Sequence, residues 1–143
     1  MGMGSIKMAL QPITLGGNLL LASALSMMAV LGDPVTSHVL DTSSGHPASG
    51  LTITLSRSEG AAWTRLQQTT TDEDGRAADL VPGQLLAAAV YKLHFATGAY
   101  YSARGLETFY PYAEVVFNVT DTEAHYHVPL LINLFGYTTY RGS

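Results

Sequence analysis

The histidines are the residues of this sequence whose types and spacing most directly suggest chemistry. His125 and His127 stand two residues apart in the segment HYH, and alternate residues of a strand point to the same face. Two imidazoles on one face can share a metal ion, although a mononuclear zinc site would need a third ligand such as His38 or a carboxylate. They can also transfer protons near neutral pH, because the ordinary pKa of histidine is about 6.5. Hydrogen-bonded structural histidines are the third alternative, and the spacing leaves all three open.

Arg76 follows the sequence Asp-Gly, which marks a turn. An arginine just after a hairpin is either a solvated strand end or a cation on the rim of a site, where its fork of donors binds an anion or a polarised carbonyl. The acidic run at residues 72–74 lacks the ligand spacing of a calcium loop and is interpreted as turn chemistry. His46 and His94 have no partner signal and are interpreted as ordinary histidines.

The composition excludes several classes of protein. The 143 residues suffice for one domain, and 47% hydrophobic against 13% charged residues, with a mean hydropathy of +0.17, exclude a disordered chain. A net charge of −4 without a basic run argues against nucleic-acid binding. The absence of cysteine excludes disulfides, thiolate metal sites and a cysteine nucleophile. The sequence also lacks a Gly-x-Ser-x-Gly elbow and a glycine-rich phosphate loop.

Residues 1–34 differ from the rest of the chain. Residues 18–32 are almost continuously apolar, but the segment is shorter than the roughly 20 residues that a transmembrane helix needs. It is interpreted as an accessory extension, a weak export signal or a start site placed too early. We therefore predict an N-terminal extension over 1–34 and a folded domain over 35–143, without a membrane. A cytoplasmic location is expected, with the periplasm as the alternative if the segment is a signal and the peroxisome in a eukaryotic source.

From Pro34 onward, alternating apolar residues and spaced turn signals predict strands. One short helix is predicted over residues 97–104, closed by Gly105. Pro129 predicts that its strand lies at a sheet edge or carries a bulge. About seven or eight strands and one helix indicate an all-β sandwich. The clearest strand candidates cover residues 51–55, 63–71, 87–95, 114–119, 125–132 and 135–140.

Five segments of the chain form a pattern with a known counterpart. They are HVLDTSSGHPASGLTITL, the Asp-Gly-Arg at 74–76, FYPYAEVVF at 109–117, HYHVPLL at 125–131 and the closing YRGS at 140–143. In this order they resemble the 5-hydroxyisourate hydrolases, the transthyretin-related enzymes of urate breakdown. The resemblance covers about residues 36–143, and HYHVPLL with YRGS is its most specific part. Residues 132–134 and Ser37 depart from the common family pattern without touching its catalytic positions.

The resemblance implies the transthyretin-like β-sandwich, with two four-stranded sheets and one short helix. It also implies a homotetramer, a dimer of dimers whose active sites lie in the channel between the dimers. The implied reaction is the metal-free hydrolysis of 5-hydroxyisourate, a purine-derived lactam, to 2-oxo-4-hydroxy-4-carboxy-5-ureidoimidazoline, with no cofactor. The alternative is a transthyretin-like carrier that binds a small aromatic ligand in the same channel.

The resemblance also assigns roles to residues of this sequence. His38 and His127 are expected to activate water and relay its proton, in an order that the sequence leaves open. Arg76 is expected to bind the substrate and stabilise negative charge, while Tyr140 orients the substrate. Ser143 is expected to hold an imidazole in its working tautomer. His125 matches no catalytic position and is expected at the rim.

Overall fold

The structure is a computed structural model that describes residues 32–143. The apolar segment predicted over 18–32 lies outside the described residues except for Gly32, so the interpretations of residues 1–34 stay predictions. Within the described part, no helix is long and apolar enough to cross a membrane.

The described chain forms two β-sheets and one short helix. The first sheet has the order β2-β1-β8-β9 with β5 paired beside β1, and the second has the order β4-β3-β6-β7. The helix α1 (Thr97–Ser102) connects β6 to β7. The predicted all-β sandwich with one short helix is confirmed. The first sheet has a fifth strand, β5, in addition to the four expected, and this strand has only two residues. The strands are β1 (Val35–Asp41), β2 (His46–Pro47), β3 (Thr52–Glu59), β4 (Ala62–Thr70), β5 (Arg76–Ala77), β6 (Ala89–Phe95), β7 (Ala113–Val119), β8 (Tyr126–Ile132) and β9 (Tyr137–Thr139).

Alternation along β1 separates the core from the chemistry-bearing face. Val35 and Val39 are fully buried in the core, whereas Thr36 and His38 between them are only half-buried. In β8 the same alternation buries Tyr126 and Val128 and places the side chain between them on the outer face. Because successive side chains of a strand point to opposite faces, apolar positions in the core require that their neighbours face outward. The candidate histidines therefore lie on the outer face of the first sheet.

The centre of the first sheet is a parallel pair. All seven residues of β1 pair with β8, from Val35 opposite Tyr126 to Asp41 opposite Ile132. Parallel neighbours need a long connection, and the rest of the domain supplies it here. The pairing brings residues about 90 positions apart in the sequence into direct register.

Pro129 lies inside β8, and the prediction of an edge strand or a bulge is wrong because β8 runs between β1 and β9 in continuous register. The Tyr126 amide donates to the Pro34 carbonyl on the β1 side, so alternation turns the Pro129 nitrogen to the opposite side. Pairing with β9 on that side begins only at Leu130. Proline is tolerated because its missing N–H points to the side where the β9 pairing has stopped.

A buried carboxylate holds the end of β1 against α1. Asp41 is 3% exposed and accepts hydrogen bonds from the hydroxyls of Tyr100, at 3.1 Å, and Tyr101, at 2.8 Å. The Ser43 amide is a third donor at 3.0 Å. A buried carboxylate needs such donors, since leaving it without partners would cost several kcal/mol. Burial also raises the pKa of Tyr101. These bonds fix β1 three residues beyond His38.

Residues 72–74 form an acidic turn before β5, in agreement with their interpretation as turn chemistry. This turn packs onto β1. The Asp72 carboxylate accepts from the amides of Asp74 and Arg76, each at 2.9 Å. Gly75 has a φ of +74°, and a Cβ there would lie 2.3 Å from the Val39 carbonyl oxygen. Only glycine suits both the left-handed backbone and this close approach. The turn therefore sets where Arg76 leaves toward β1.

Candidate functional site

Three strands of the first sheet bring the candidate residues onto one outer face. Thr36 of β1 is the register partner of His127 in β8, and His38 of β1 is the register partner of Arg76 in β5. Paired residues of adjacent strands point to the same side of a sheet. Since Thr36 and His38 are two residues apart on one strand, all four side chains share this face. His38, Arg76 and His127 are thus brought together on one face.

His127 is the most enclosed of these groups. Its Nδ1 lies 2.8 Å from the Thr36 hydroxyl oxygen, and its carbonyl accepts from the Gly142 amide at 2.9 Å. Burial lowers the pKa of its imidazole below the ordinary 6.5, and the charges of His125, His38 and Arg76 lower it further. The neutral form, which carries a free lone pair, is therefore favoured at neutral pH.

Gly142 packs directly against the His127 ring. A Cβ at this glycine would lie 2.4 Å from the imidazole Cδ2 atom. No side chain fits in that space, so the glycine of the closing YRGS lets the tail cross the ring at contact distance. No role for Gly142 or Thr36 was predicted from the sequence. Their contacts with His127 depend on a strand register that local sequence does not reveal.

His125 shares the face of His127, as the spacing of HYH predicts. The two rings are nearly parallel, at an interplanar angle of 12°, with centroids 6.5 Å apart. The His125 Nδ1 donates to the Asp33 carbonyl at 2.7 Å, and its Nε2 lies 3.1 Å from the Thr36 hydroxyl oxygen. Both ring nitrogens therefore have protein partners, and the exposed side chain lies at the rim of the site.

His38 and Arg76 depend on the acidic turn. The His38 Nε2 donates to the Asp74 carbonyl at 2.9 Å, because a carbonyl oxygen only accepts. The Arg76 backbone is held by Asp72, whereas its side chain is exposed. The guanidinium is therefore presented at the surface of the site next to His38.

The C-terminal tail runs along β8 beside the site. The Thr139 hydroxyl donates to the Pro129 carbonyl at 2.8 Å, and Gly142 forms an isolated bridge with His127. Tyr140 is 57% exposed, and Ser143 at the end of the chain is also exposed. In residues 32–143 the His127 Nδ1 shares its hydrogen bond with the Thr36 hydroxyl. The contact expected of Ser143 with an imidazole stays a prediction.

The metal hypothesis for HYH finds little support in these contacts. Among the described residues, no three His, Cys, Asp or Glu side chains are grouped so that they could hold an ion. Both nitrogens of His125 and the Nδ1 of His127 take hydrogen bonds to protein groups. What the arrangement offers instead is a neutral imidazole beside a second histidine and an arginine, which suits acid–base chemistry on a substrate that becomes anionic.

Comparison with known proteins identifies the family. The profile of the HIUase/Transthyretin family matches residues 35–142. A 5-hydroxyisourate hydrolase from Mus musculus is 48% identical over 118 residues, which is 81% of this chain and 100% of the mouse protein. The structure of Klebsiella pneumoniae 5-hydroxyisourate hydrolase is 37% identical with a TM-score of 0.69, covering 78% of this chain and 99% of that one. Sea bream transthyretin in complex with thyroxine is 32% identical with a TM-score of 0.72, covering 76% and 94%. The chain therefore belongs to the HIUase/Transthyretin family.

Proposed function

We propose that this protein hydrolyses 5-hydroxyisourate to 2-oxo-4-hydroxy-4-carboxy-5-ureidoimidazoline, with His127 as the general base. The observation that carries the proposal is the placement of the His127 imidazole on one face with His38 and Arg76. Relatives over nearly the whole domain bear the name of this activity. The reaction belongs to urate degradation and needs only water as a second reactant.

The chemistry requires an activated water and a stabilised oxyanion. The His127 Nε2 removes a proton from water as its oxygen attacks the lactam carbonyl carbon, giving a tetrahedral intermediate with a negative oxygen. The C–N bond then breaks, and the leaving nitrogen takes a proton, which yields the carboxyl and ureido groups of the product. A lowered pKa suits His127 to the first step because the neutral form is the one that accepts a proton.

The neighbouring groups complete the site. Arg76 presents a fork of N–H donors that binds substrate oxygens and stabilises the negative charge of the intermediate. His38, with its Nε2 proton donated to Asp74, retains an Nδ1 that relays protons between water and the leaving nitrogen. Tyr140 packs on the flat substrate ring. Ser143 reaches the site through its hydroxyl or terminal carboxylate.

The decisive test is turnover of freshly generated 5-hydroxyisourate, followed by its ultraviolet absorbance against the spontaneous decay. The wild-type chain should accelerate decay strongly, and the Arg76→Gln variant should lose most of that acceleration. The His46→Asn variant is a matched control, because within residues 32–143 the His46 side chain bonds only at the Ser44 carbonyl of its own turn. Decay at the spontaneous rate with the folded wild-type chain would refute the proposal.

A carrier of a small aromatic ligand is the second candidate, and the likeness to sea bream transthyretin with thyroxine favours it. The two functions differ in what they require of the outer face of the first sheet. A carrier has no use for the histidines and arginine that converge there, whereas hydrolysis depends on them. Saturable binding of thyroxine without any acceleration of 5-hydroxyisourate decay would favour the carrier.

A homotetrameric assembly is part of the same proposal. The strands β7 and β9 are edges of the two sheets, and a groove of about 340 Å3 lies between β7 and the C-terminal tail. Val116 on the rim of this groove is 56% exposed, and Phe135, which lies just before β9 in the sequence, is 76% exposed. Exposed apolar side chains beside unpaired strand edges favour association with a second copy. A second pair of subunits would then close the open face that carries His127.

Sedimentation combined with activity on dilution tests the assembly. Val116→Arg should weaken association and reduce the activity of dilute protein without altering any candidate catalytic residue. Leu85→Arg, which adds the same charge at an exposed apolar residue outside the groove, should leave both unchanged. A monomer with full activity would overturn the tetramer and leave the hydrolysis intact.

A further inference from the structure

A line of hydrogen bonds leads from the backbone at the start of β1 to the proposed base. The Asp33 carbonyl oxygen lies 2.7 Å from the His125 Nδ1, and the His125 Nε2 lies 3.1 Å from the Thr36 hydroxyl oxygen. The same hydroxyl lies 2.8 Å from the His127 Nδ1. Neither Thr36 nor His125 is expected to contact the substrate in the mechanism above.

The directions of these bonds follow from proton counting when both imidazoles are neutral. A carbonyl oxygen only accepts, so the single ring proton of His125 must be on Nδ1, and its Nε2 carries a lone pair. That lone pair accepts the only proton of the Thr36 hydroxyl. The hydroxyl oxygen must then accept from the His127 Nδ1, so the ring proton of His127 is on Nδ1. The His127 Nε2 is left with a free lone pair.

We propose that Thr36 and His125 are positioning residues that hold His127 in the tautomer with its basic lone pair on Nε2. The inference rests on the proposed role of His127 as the general base. Which nitrogen of a histidine carries the proton is set by the hydrogen bond that the other nitrogen makes. His125 acts through Thr36, since its ring lies 6.5 Å from that of His127 and both of its nitrogens are engaged.

The tail and Thr36 together favour one orientation of the His127 ring. Gly142 lies against the Cδ2 side of the ring so closely that even a Cβ would be 2.4 Å away. A flip of the ring would put Cδ2 in the place of Nδ1 and break the hydrogen bond with the Thr36 hydroxyl. If the proton moves to Nε2 in this fixed orientation, the lone pair points to Thr36 and the water loses its base.

Long-range proton–nitrogen NMR correlations on the full chain with nitrogen-15 histidine report the tautomer directly. Wild-type His125 and His127 should both show a protonated Nδ1 and an unprotonated Nε2. Thr36→Val keeps the β-branched shape but removes the hydroxyl, so His127 should populate both tautomers. The loss of one such bond should lower kcat roughly three- to tenfold, with KM within about twofold. Thr36→Ser should restore both the NMR pattern and kcat.

A second pair of variants changes the exposed rim residue, where folding is not at risk. His125→Phe keeps a flat ring without the acceptor, so the Thr36 hydroxyl is free to donate to His127 and shift its proton to Nε2. His125→Gln supplies an amide oxygen that accepts from Thr36 and should preserve the wild-type tautomer better than Phe. His46→Asn should change neither measurement.

An Nε2-protonated His127 in the wild type would overturn the inference. So would a Thr36→Val or His125→Phe protein with an unchanged tautomer and kcat. Failure of the proposed function is distinguishable, because the NMR pattern is measured without substrate. The predicted tautomer in a wild-type chain that does not accelerate 5-hydroxyisourate decay would refute the function alone.

Discussion

Each sheet of the sandwich carries a cluster of basic side chains that includes histidine on its outer face, and the two clusters are built differently. On the second sheet, Lys92 and Glu114 form an ion pair at 2.8 Å, and the His94 Nδ1 lies 3.6 Å from the same carboxylate. The Lys92 ammonium also lies over the Trp63 ring, and His94 stacks on Tyr112. The hydrogen bond from Lys92 is the main reason why the pKa of Glu114 is lowered. In this cluster the basic groups share a carboxylate.

On the first sheet, the histidines have neutral hydrogen-bond partners. His38, His125 and His127 bond to backbone carbonyls or to a hydroxyl, and Arg76 lies beside them. Within residues 32–143, none of these four side chains forms an ion pair. Their mutual repulsion adds to burial in lowering the pKa of His127.

The difference shows why only one cluster is suited to catalysis. A basic group that already has a carboxylate partner is neutralised and offers little to a substrate. Basic groups that lack one leave an arginine free for an anion and keep a neighbouring imidazole neutral enough to take a proton. Basic side chains therefore belong to a surface network on one sheet and to the proposed hydrolase site on the other.

The largest effect on kcat is expected when the histidines of the two clusters are replaced by asparagine. His127→Asn and His38→Asn should each reduce kcat about 10²–10⁴-fold, the usual contribution of acid–base groups. The double variant should be little worse than either single one, because residues that act as a unit are non-additive. His94→Asn, on the second sheet, should retain near-normal kcat. Steady-state kinetics on folded protein provide the measurement, and a large loss at His94 with a normal rate at His127 would reverse the comparison.

The next effect concerns the tail that supports His127. Gly142→Ala places a methyl group against the imidazole, so the ring or the tail must move. Displacement of a catalytic group by about 1 Å can cost roughly 10²-fold, and a tenfold to hundredfold loss of kcat is expected. The exposed tail can move without unfolding the domain, so the melting temperature should change little. Gly136→Ala controls for a substitution of the same kind, because its added Cβ would make only ordinary contacts with the Asn133 side chain, at 3.7 and 3.8 Å. An unchanged kcat in the Gly142 variant would show that the tail does not support the ring.

A smaller effect is expected in the pH dependence. The neutral form of His127 should persist below the ordinary pKa of 6.5, so kcat/KM should fall on the acid side only below that value. The charges of His38, Arg76 and His125 face the ring. Arg76→Gln removes one of them, so the pKa of His127 should rise. The folded chain binds this proton less tightly than the unfolded chain, so stability should decline as the pH falls below 6.5. NMR titration of the His127 ring checks both directions, and a pKa above 6.5 would contradict them.

The smallest expected effect is that of metal removal. Dialysis against EDTA should leave kcat unchanged within error, because His125 and the Nδ1 of His127 already have protein partners. No other histidine, including that of the second sheet, is expected to replace His38. Adding zinc should therefore not restore activity to a His38→Asn variant. Loss of activity with EDTA and its return with zinc would bring back the metal hypothesis for the HYH segment.

Much of the fold is predictable from local patterns. Alternation located β6 and β7 within about two residues, whereas β3 runs four residues further than predicted. The Asp-Gly signal located the turn before Arg76. The helix predicted over 97–104 is Thr97–Ser102, followed by a turn that ends at Gly105 with a φ of +70°. Local patterns failed at Pro129, because proline excludes a strand only on the side to which its nitrogen points, and that side depends on the neighbours.

The sequence by itself determined which residues can do the chemistry and that His125 and His127 share a face, since strand periodicity is a local property. Only the tertiary structure decided that Thr36 lies opposite His127, because that contact needs the parallel register of β1 and β8 across 91 residues. It also decided that, within residues 32–143, His38, His125 and His127 have no carboxylate partner while His94 of the other sheet has Glu114. Charge partners depend on which strands become neighbours, and long-range packing of apolar faces decides that arrangement.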